Sequence, residues 1–401
     1  MISTDFAPNE LRDDASISLI TLFQPWLWRQ GKEMGLCIDI LQSMFPRTKI
    51  SLFLSGRASL YLLLKALHLS PHSTVALVGF TCEAVVLPIQ ALNLKPLYID
   101  IEKDMYSMDL NDLKKKISDT TSVIVLQHTF GIIPKYRDEV LKLAKERNIY
   151  VIEDLAHGFD PSFWQKQVLS DSQALLLSFG RSKALSSVFG GAVVTSNHSV
   201  ALTLASISQS LDYPHFYIMI KLLLYKPISY MIKIAYNIPL LGKLIHKICI
   251  STGLIIAEIS KEEKGGTYSP YLEKKYPNAL AKLLLHQLNK FDEVRQQRKM
   301  ISDLYIQSFG VTNLTPEAFP RFPILIKNRP HVLKEFAKRN IFFGSWYSQP
   351  VAPKELLLEK VGYIMGSCPV AEQINKEIIN LPTLITEKEA EGIVRQLKKF
   401  Q

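Results

Sequence analysis

A chain of 401 residues with 47 % hydrophobic and 21 % charged side chains holds too much apolar material and too little charge to remain disordered. Its 18 glycines and 21 prolines exclude a collagen-like or low-complexity sequence, and its four cysteines (Cys37, Cys82, Cys249, Cys368) form no CxxC pair, which excludes a zinc ribbon and a disulfide framework. The net charge is +10, and the opening MISTDFAPNELRDD carries acids where an export signal needs positive charge, so a reduced cytoplasmic setting is expected.

Residues 1–48 read as an N-terminal segment. From 49 to 275, short β-branched and aliphatic runs closed by turn signals predict strands at 50–54, 75–79, 96–101, 123–127, 150–153, 174–178 and 192–195. Strands joined by crossover helices imply an α/β unit whose mainly parallel sheet is covered on both faces. Within this unit, 213–257 stands apart: it has five lysines (Lys221, Lys226, Lys233, Lys243, Lys247) and no Asp, Glu or Arg. Its longest run without Lys or His is about ten residues, short of the roughly 20 that span a bilayer. Lys243, His246 and Lys247 share one helical face, Leu241, Leu244, Ile245 and Ile248 another, and Lys226 and Lys233 recur at heptad spacing. That pattern predicts a helix lying on an anionic membrane surface, with packing in the protein's own dimer as the alternative. Nucleic acid is not expected, because the positive charge is set among Ile and Leu rather than in a basic stripe with aromatics. Residues 276–401 predict a long helix over 276–309, with Leu280, Leu284, Leu288 and Phe291 on one face, leading into a smaller α+β unit. That unit reads as strands at 322–326 and 341–346 and helices at 331–339 and 387–400.

Three places carry candidate chemistry. At Ser55-Gly56 a strand runs straight into a helix, whose free N–H groups and dipole favour an anion; Gly56 admits a phosphate to the main chain and Arg57 adds a charge-assisted contact. An ordinary serine-capped turn is the alternative. In YVIED, alternation sends Glu153 and Asp154 to opposite faces, which argues against an acid/base pair. Asp154 at the strand end either holds a proton on a heteroaromatic nitrogen or caps a helix, with His157 a surface histidine in the second case. In LSFGRSKALSSVFGGAVVT, Lys183 stands in an apolar loop between two strands, either as a Schiff-base nucleophile or as an ordinary solvated lysine.

The order phosphate turn, carboxylate, then Ser-x-x-x-x-Lys resembles the fold type I pyridoxal-phosphate enzymes, and within them the DegT/DnrJ/StrS-type sugar aminotransferases. SGRASL, GFTCEAVVLPIQALNLKPLYID, LQHTFG, VIEDLAH, LSFGRSK, FGGAVVT, PNALAKLLLHQL and IINLPTLITEKE carry the resemblance. It implies that Lys183 is the Schiff-base lysine of pyridoxal 5'-phosphate, Asp154 the partner of the ring nitrogen, Ser178 a phosphate ligand beside Ser55, Gly56 and Arg57, and His157 a neighbour of the 3-hydroxyl. It also implies that Asn278 reaches the phosphate of a neighbouring subunit, hence a homodimer with shared sites, and that the substrates are glutamate and a keto-sugar of polysaccharide or related glycan synthesis. The chain departs from the family in Arg57 where threonine is usual, in Val188-Phe189-Gly190-Gly191, and in Cys82 where an aromatic ring stacks on the cofactor; Phe80 and His128 are the candidates to replace that ring. These departures leave one alternative, a membrane-associated binding or regulatory protein that keeps the fold without turnover, against which the intact Asp154, Ser178 and Lys183 count.

Overall fold

All seven predicted strands join one sheet. They are β1 (Lys49–Phe53), β2 (Thr74–Val78), β3 (Lys95–Ile99), β4 (Thr121–Gln127), β5 (Tyr150–Asp154), β6 (Gln173–Ser178) and β7 (Gly191–Thr195), in the order β1-β7-β6-β5-β4-β2-β3. The computed structural model describes every residue except Pro239, Pro316 and Gln401. Strand β7 is antiparallel to both neighbours and the other pairs are parallel. Successive side chains alternate between two cores: Leu175, Leu177 and Val194 face one cluster, and Ala174, Leu176 and Val193 face the other. With both faces buried, the strands must be apolar throughout, which is why the runs stood out in the sequence.

The register also gathers chemistry at one sheet edge. Phe53 at the end of β1 pairs with Gly191, Gly191 with Ser178, Leu176 with Asp154, and Asp154 with Gln127. The turns that leave β1, β4, β5 and β6 therefore open side by side, where open α/β sheets place their ligands.

Helices α1 (Arg12–Leu22), α2 (Glu33–Met44), α3 (Gly56–Ala66), α4 (Glu83–Ala91), α5 (Phe216–Ala235), α6 (Leu241–Ser251), α7 (Asn278–Asn289) and α8 (Phe291–Phe309) position the rest. The long helix expected over 276–309 is broken into α7 and α8 at Lys290, which leaves helical geometry while its ammonium pairs with Asp13 at 2.9 Å and Asp14 at 2.7 Å. Leu280, Leu284, Leu288 and Phe291 are buried as expected.

The reading of 213–257 needs a correction. It does form two helices, but Lys226 is fully buried, 3.4 Å from Glu10 and 4.0 Å from Asp14, and Lys233 donates to the carbonyls of Ala7 and Glu10. These two lysines face inward because α1 packs along α5, where Ser18 also donates to the Leu223 carbonyl at 2.7 Å. A buried charge is stable only when paired, and removing one partner of such a pair costs about 3–5 kcal/mol.

The smaller unit centres on β8 (Arg321–Leu325) antiparallel to β9 (Ile378–Pro382). The strand expected at 341–346 shrinks to Ile341–Phe342, which pairs with Ile2–Ser3 at the chain's start. Beyond it, the Asn380 side chain accepts the Trp346 N–H at 2.7 Å in place of a ladder bond, and the chain turns toward the sheet edge. Val351–Ala352 then runs parallel to Thr81–Cys82, joining the smaller unit to the sheet's edge.

Candidate active site

A cavity of about 430 Å³ opens where the strand ends converge, within the range of small-molecule sites. Ser55, Gly56, Arg57, Asp154, His157, Ser178 and Lys183 all line it, so seven of the eight residues singled out in the sequence meet in one place.

The turn at Ser55-Gly56 carries the serine cap that the sequence offers as the alternative, and the cap still leaves N–H groups open to an anion. The Ser55 hydroxyl accepts from the Ala58 N–H at 3.1 Å, which leaves the earlier N–H groups of α3 for a ligand. A Cβ at Gly191 would lie 2.5 Å from the Gly56 nitrogen, and one at Gly56 would lie 3.0 Å from the Ser178 hydroxyl. Gly191 thus lets β7 close on the turn, and Gly56 lets the Ser178 hydroxyl stand beside the open N–H groups of α3, a cradle that fits a phosphate.

Arg57 does not face that cradle. Its guanidinium pairs with Glu263, donates to the Glu258 carbonyl at 2.9 Å and lies 3.7 Å from Glu83. Burial pushes Glu83 up to about 7 against the pull of Arg57, so the arginine is the counter-charge of buried acids rather than a phosphate ligand.

Glu153 and Asp154 divide as alternation requires. Glu153 is enclosed on the far face, bound by Arg137 at 2.6 and 2.8 Å, by His128 at 2.8 Å and by Gln173. Burial opposes its ionisation, but His128 and Arg137 hold it at about 2. Asp154 faces the cavity. Burial raises its pKa, only partly offset by the Ala156 N–H at 2.9 Å and by the charges of Lys183 and His128. A buried carboxylate with so little compensation favours a cation beside it, which is what a protonated pyridine supplies.

Both nitrogens of His157 are engaged. Nδ1 accepts from the Phe130 N–H at 3.0 Å, which places the proton on Nε2, 2.7 Å from the Tyr347 hydroxyl. Burial, then the charges of Lys183 and Arg321, hold its pKa well below the usual histidine value, so it is a neutral ring. What it offers a ligand is that ring, and a nitrogen reaches a 3-hydroxyl only by releasing Tyr347. Neither candidate for the stacking ring lines the cavity: Phe80 lies in the core against Tyr106, Phe130 and Tyr347, and His128 is tied to Glu153. Cys82 does line it, with burial pushing its thiol up to about 12.

Asn278 is elsewhere. It is buried at the start of α7, where its amide donates to the Leu27 carbonyl at 3.1 Å and to Glu33 at 2.9 Å and accepts from the Met34 N–H at 3.1 Å. With both donors and its oxygen engaged, this side chain anchors α2 within its own chain rather than reaching into a neighbour's site.

The sequence match to known proteins follows this layout. Residues 50–210 and 269–398 match the DegT/DnrJ/EryC1/StrS aminotransferase family. The chain belongs to that family. It is an aminotransferase that works with pyridoxal phosphate, and the glycine cradle, buried Asp154 and Lys183 fit that cofactor. The chain is 25 % identical to MJ1066 of Methanocaldococcus jannaschii over 86 % of its own length and 84 % of that protein. It is 30 % identical to GDP-perosamine synthase of Escherichia coli O157:H7, over 36 % of its own length and 40 % of the relative's. Spr1654 of Streptococcus pneumoniae, solved in its PLP form, shares the fold with a TM-score of 0.72 at 17 % identity, covering 98 % of this chain and 97 % of that one.

Two parts of the aminotransferase site were not visible in its sequence. Trp346, within a predicted strand, brings its ring to 4.6 Å from the Lys183 ammonium and 3.3 Å from the Arg321 guanidinium. The chain's first ten residues form a strap over the lysine loop. Asp5 pairs with Arg321 at 2.7 Å and accepts from Ser182 through its carbonyl at 3.1 Å. Asn9 donates to the carbonyls of Lys183 and Arg181 and accepts from Arg298 at 2.6 Å. Nothing local marks a polar N-terminal asparagine as part of a site, since its partners lie more than 170 residues away. Asn9 is a positioning residue for Lys183. Asn9→Asp keeps the acceptor for Arg298 but turns a carboxylate oxygen on the Lys183 and Arg181 carbonyls, and should release cofactor about tenfold faster, with a lower melt of the cofactor-free protein from the unpaired buried oxygens. Cofactor loss, followed by absorbance during dialysis, measures it; an unchanged rate would make the strap a packing element only.

Proposed function

We propose that this aminotransferase moves an amino group from glutamate to a keto-sugar carried on a nucleotide or a lipid, for cell-surface polysaccharide or a related glycan. The observation that carries the reading is the convergence of Lys183, Asp154 and the Ser55-Gly56-Ser178 cradle at one sheet edge. The sugar-nucleotide name of the perosamine synthase relative supports the acceptor class.

Pyridoxal phosphate, when bound, supplies the electron sink. The Lys183 amine, once free, takes a proton from the donor's α-carbon and returns one to the acceptor's carbon. The Asp154 carboxylate holds a proton at the ring nitrogen. Ser55, Gly56 and Ser178 bind the phosphate, and Trp346 shields Lys183 from water. Lys183, Asp154 and the Ser55-Gly56-Ser178 turn share one cavity, which counts against the alternative of a fold without turnover, even though Cys82 stands where the family places a stacking ring.

Glutamate alone should yield about one 2-oxoglutarate per site, a single turnover, and adding the right keto-sugar should restart it, with the parallel double-reciprocal lines of ping-pong kinetics. Offering sugars on nucleotide and on lipid carriers separates the two acceptor classes; no 2-oxoglutarate from glutamate would reject this donor. The active species is a homodimer in the cytoplasm. Sedimentation at twice the chain mass is the expected result.

A further inference from the structure

The hairpin of α5 and α6 presents an apolar surface that nothing else covers among the described residues. Leu244 and Ile248, one turn apart on α6, are 56 and 50 % exposed, and Leu240 just before the helix is 78 % exposed. Met231, Ile234 and Ile238 extend the exposed apolar area from the end of α5. The opposite side of α6 is the packing side: a Cβ at Gly242 would touch the Tyr236 ring, and Cys249 is buried against Ile228 and Ile232. Exposed contiguous apolar surface of this kind marks an interaction site.

We propose that this surface docks on an anionic lipid bilayer. The charge pattern decides the partner. From 213 to 257 there is no acid, and with Lys226 and Lys233 engaged inside the fold, Lys243 and Lys247 are the exposed lysines of α6 flanking the apolar row. A second copy of the same surface would set lysine against lysine and bring no acid of this segment to meet them. At a bilayer the leucines and isoleucines enter the acyl boundary while both ammonium groups stay at the level of the lipid phosphates. Helix α6 has 11 residues, and among the described residues no helix is long and apolar enough to cross a membrane, so it lies in the plane. The hairpin is firmly joined to the body, since Lys226 and Lys233 bind the N-terminal strap that also holds the Lys183 loop.

Flotation of the full-length protein with vesicles of phosphatidylcholine alone, or with one-third phosphatidylglycerol, tests the proposal without using turnover, so its failure leaves the aminotransferase reading intact. Wild-type protein should float with the anionic vesicles only, and less well as salt rises. Lys243→Gln with Lys247→Gln should weaken that binding about thirty-fold, from roughly fivefold per lysine. Leu244→Ser with Ile248→Ser should abolish flotation while leaving the mass by light scattering unchanged. Absence of wild-type flotation, or flotation indifferent to both double variants, would overturn the proposal. A serine double variant that splits an oligomer would also overturn it and assign the face to a second copy. Wild-type flotation and its salt dependence decide the matter even if a variant folds poorly.

Discussion

Lys183→Ala is expected to abolish amino transfer, with turnover lower by at least about four orders of magnitude, because one side chain supplies both the covalent attachment and the proton carrier. Lys183 is half-buried at the sheet edge beneath Trp346, and its carbonyl is held by Asn9, so the loop around it is fixed. The substituted protein should fold, since the loop's hydrogen bonds use main-chain atoms that alanine retains. Borohydride reduction followed by peptide mass analysis should place the cofactor on Lys183 in the wild type and on no residue of the variant. Attachment at another lysine, or retained turnover, would remove Lys183 from the reaction.

Asp154→Asn is expected to lower turnover by about 10²–10³, or roughly 3–4 kcal/mol, in line with the loss of one preorganised charge partner. A neutral amide cannot hold the ring nitrogen protonated, and Glu153 cannot substitute, because it faces the other side in the grip of Arg137 and His128. The cofactor-free protein should behave in the opposite sense. The folded pKa of Asp154 lies above its ordinary value because of burial, so its ionised form destabilises the fold once the pH exceeds the unfolded pKa, and the penalty persists at neutral pH. Asparagine carries no such charge. The variant should therefore melt no lower than wild type without cofactor at pH 7, yet gain less when cofactor is added. Calorimetric melts with and without cofactor measure both, and wild-type turnover in Asp154→Asn would shift the role to another group.

The sequence by itself determined the sheet and most of its edge chemistry. Doubly covered parallel strands must be continuously apolar, so all seven were legible to within about two residues, and period-two alternation alone separated Asp154 from Glu153. Ser55 and Gly56 were equally legible from the turn of a strand straight into a helix, and Ser178 through the family resemblance, whereas the close approach of Gly191 was not. Only the tertiary structure decided the rest, and the reason is common to each case. Arg57 turns to Glu83 and Glu263, Lys226 to Glu10 and Asp14, and Asn278 to Leu27, Glu33 and Met34. Lys290 breaks a continuous apolar stripe to meet Asp13 and Asp14, while Asn9 and Trp346 reach Lys183 from opposite ends of the chain. A buried polar group must find a partner wherever the fold places one, and the partner's distance along the chain leaves no local pattern, whereas apolar burial writes its period directly into neighbouring residues.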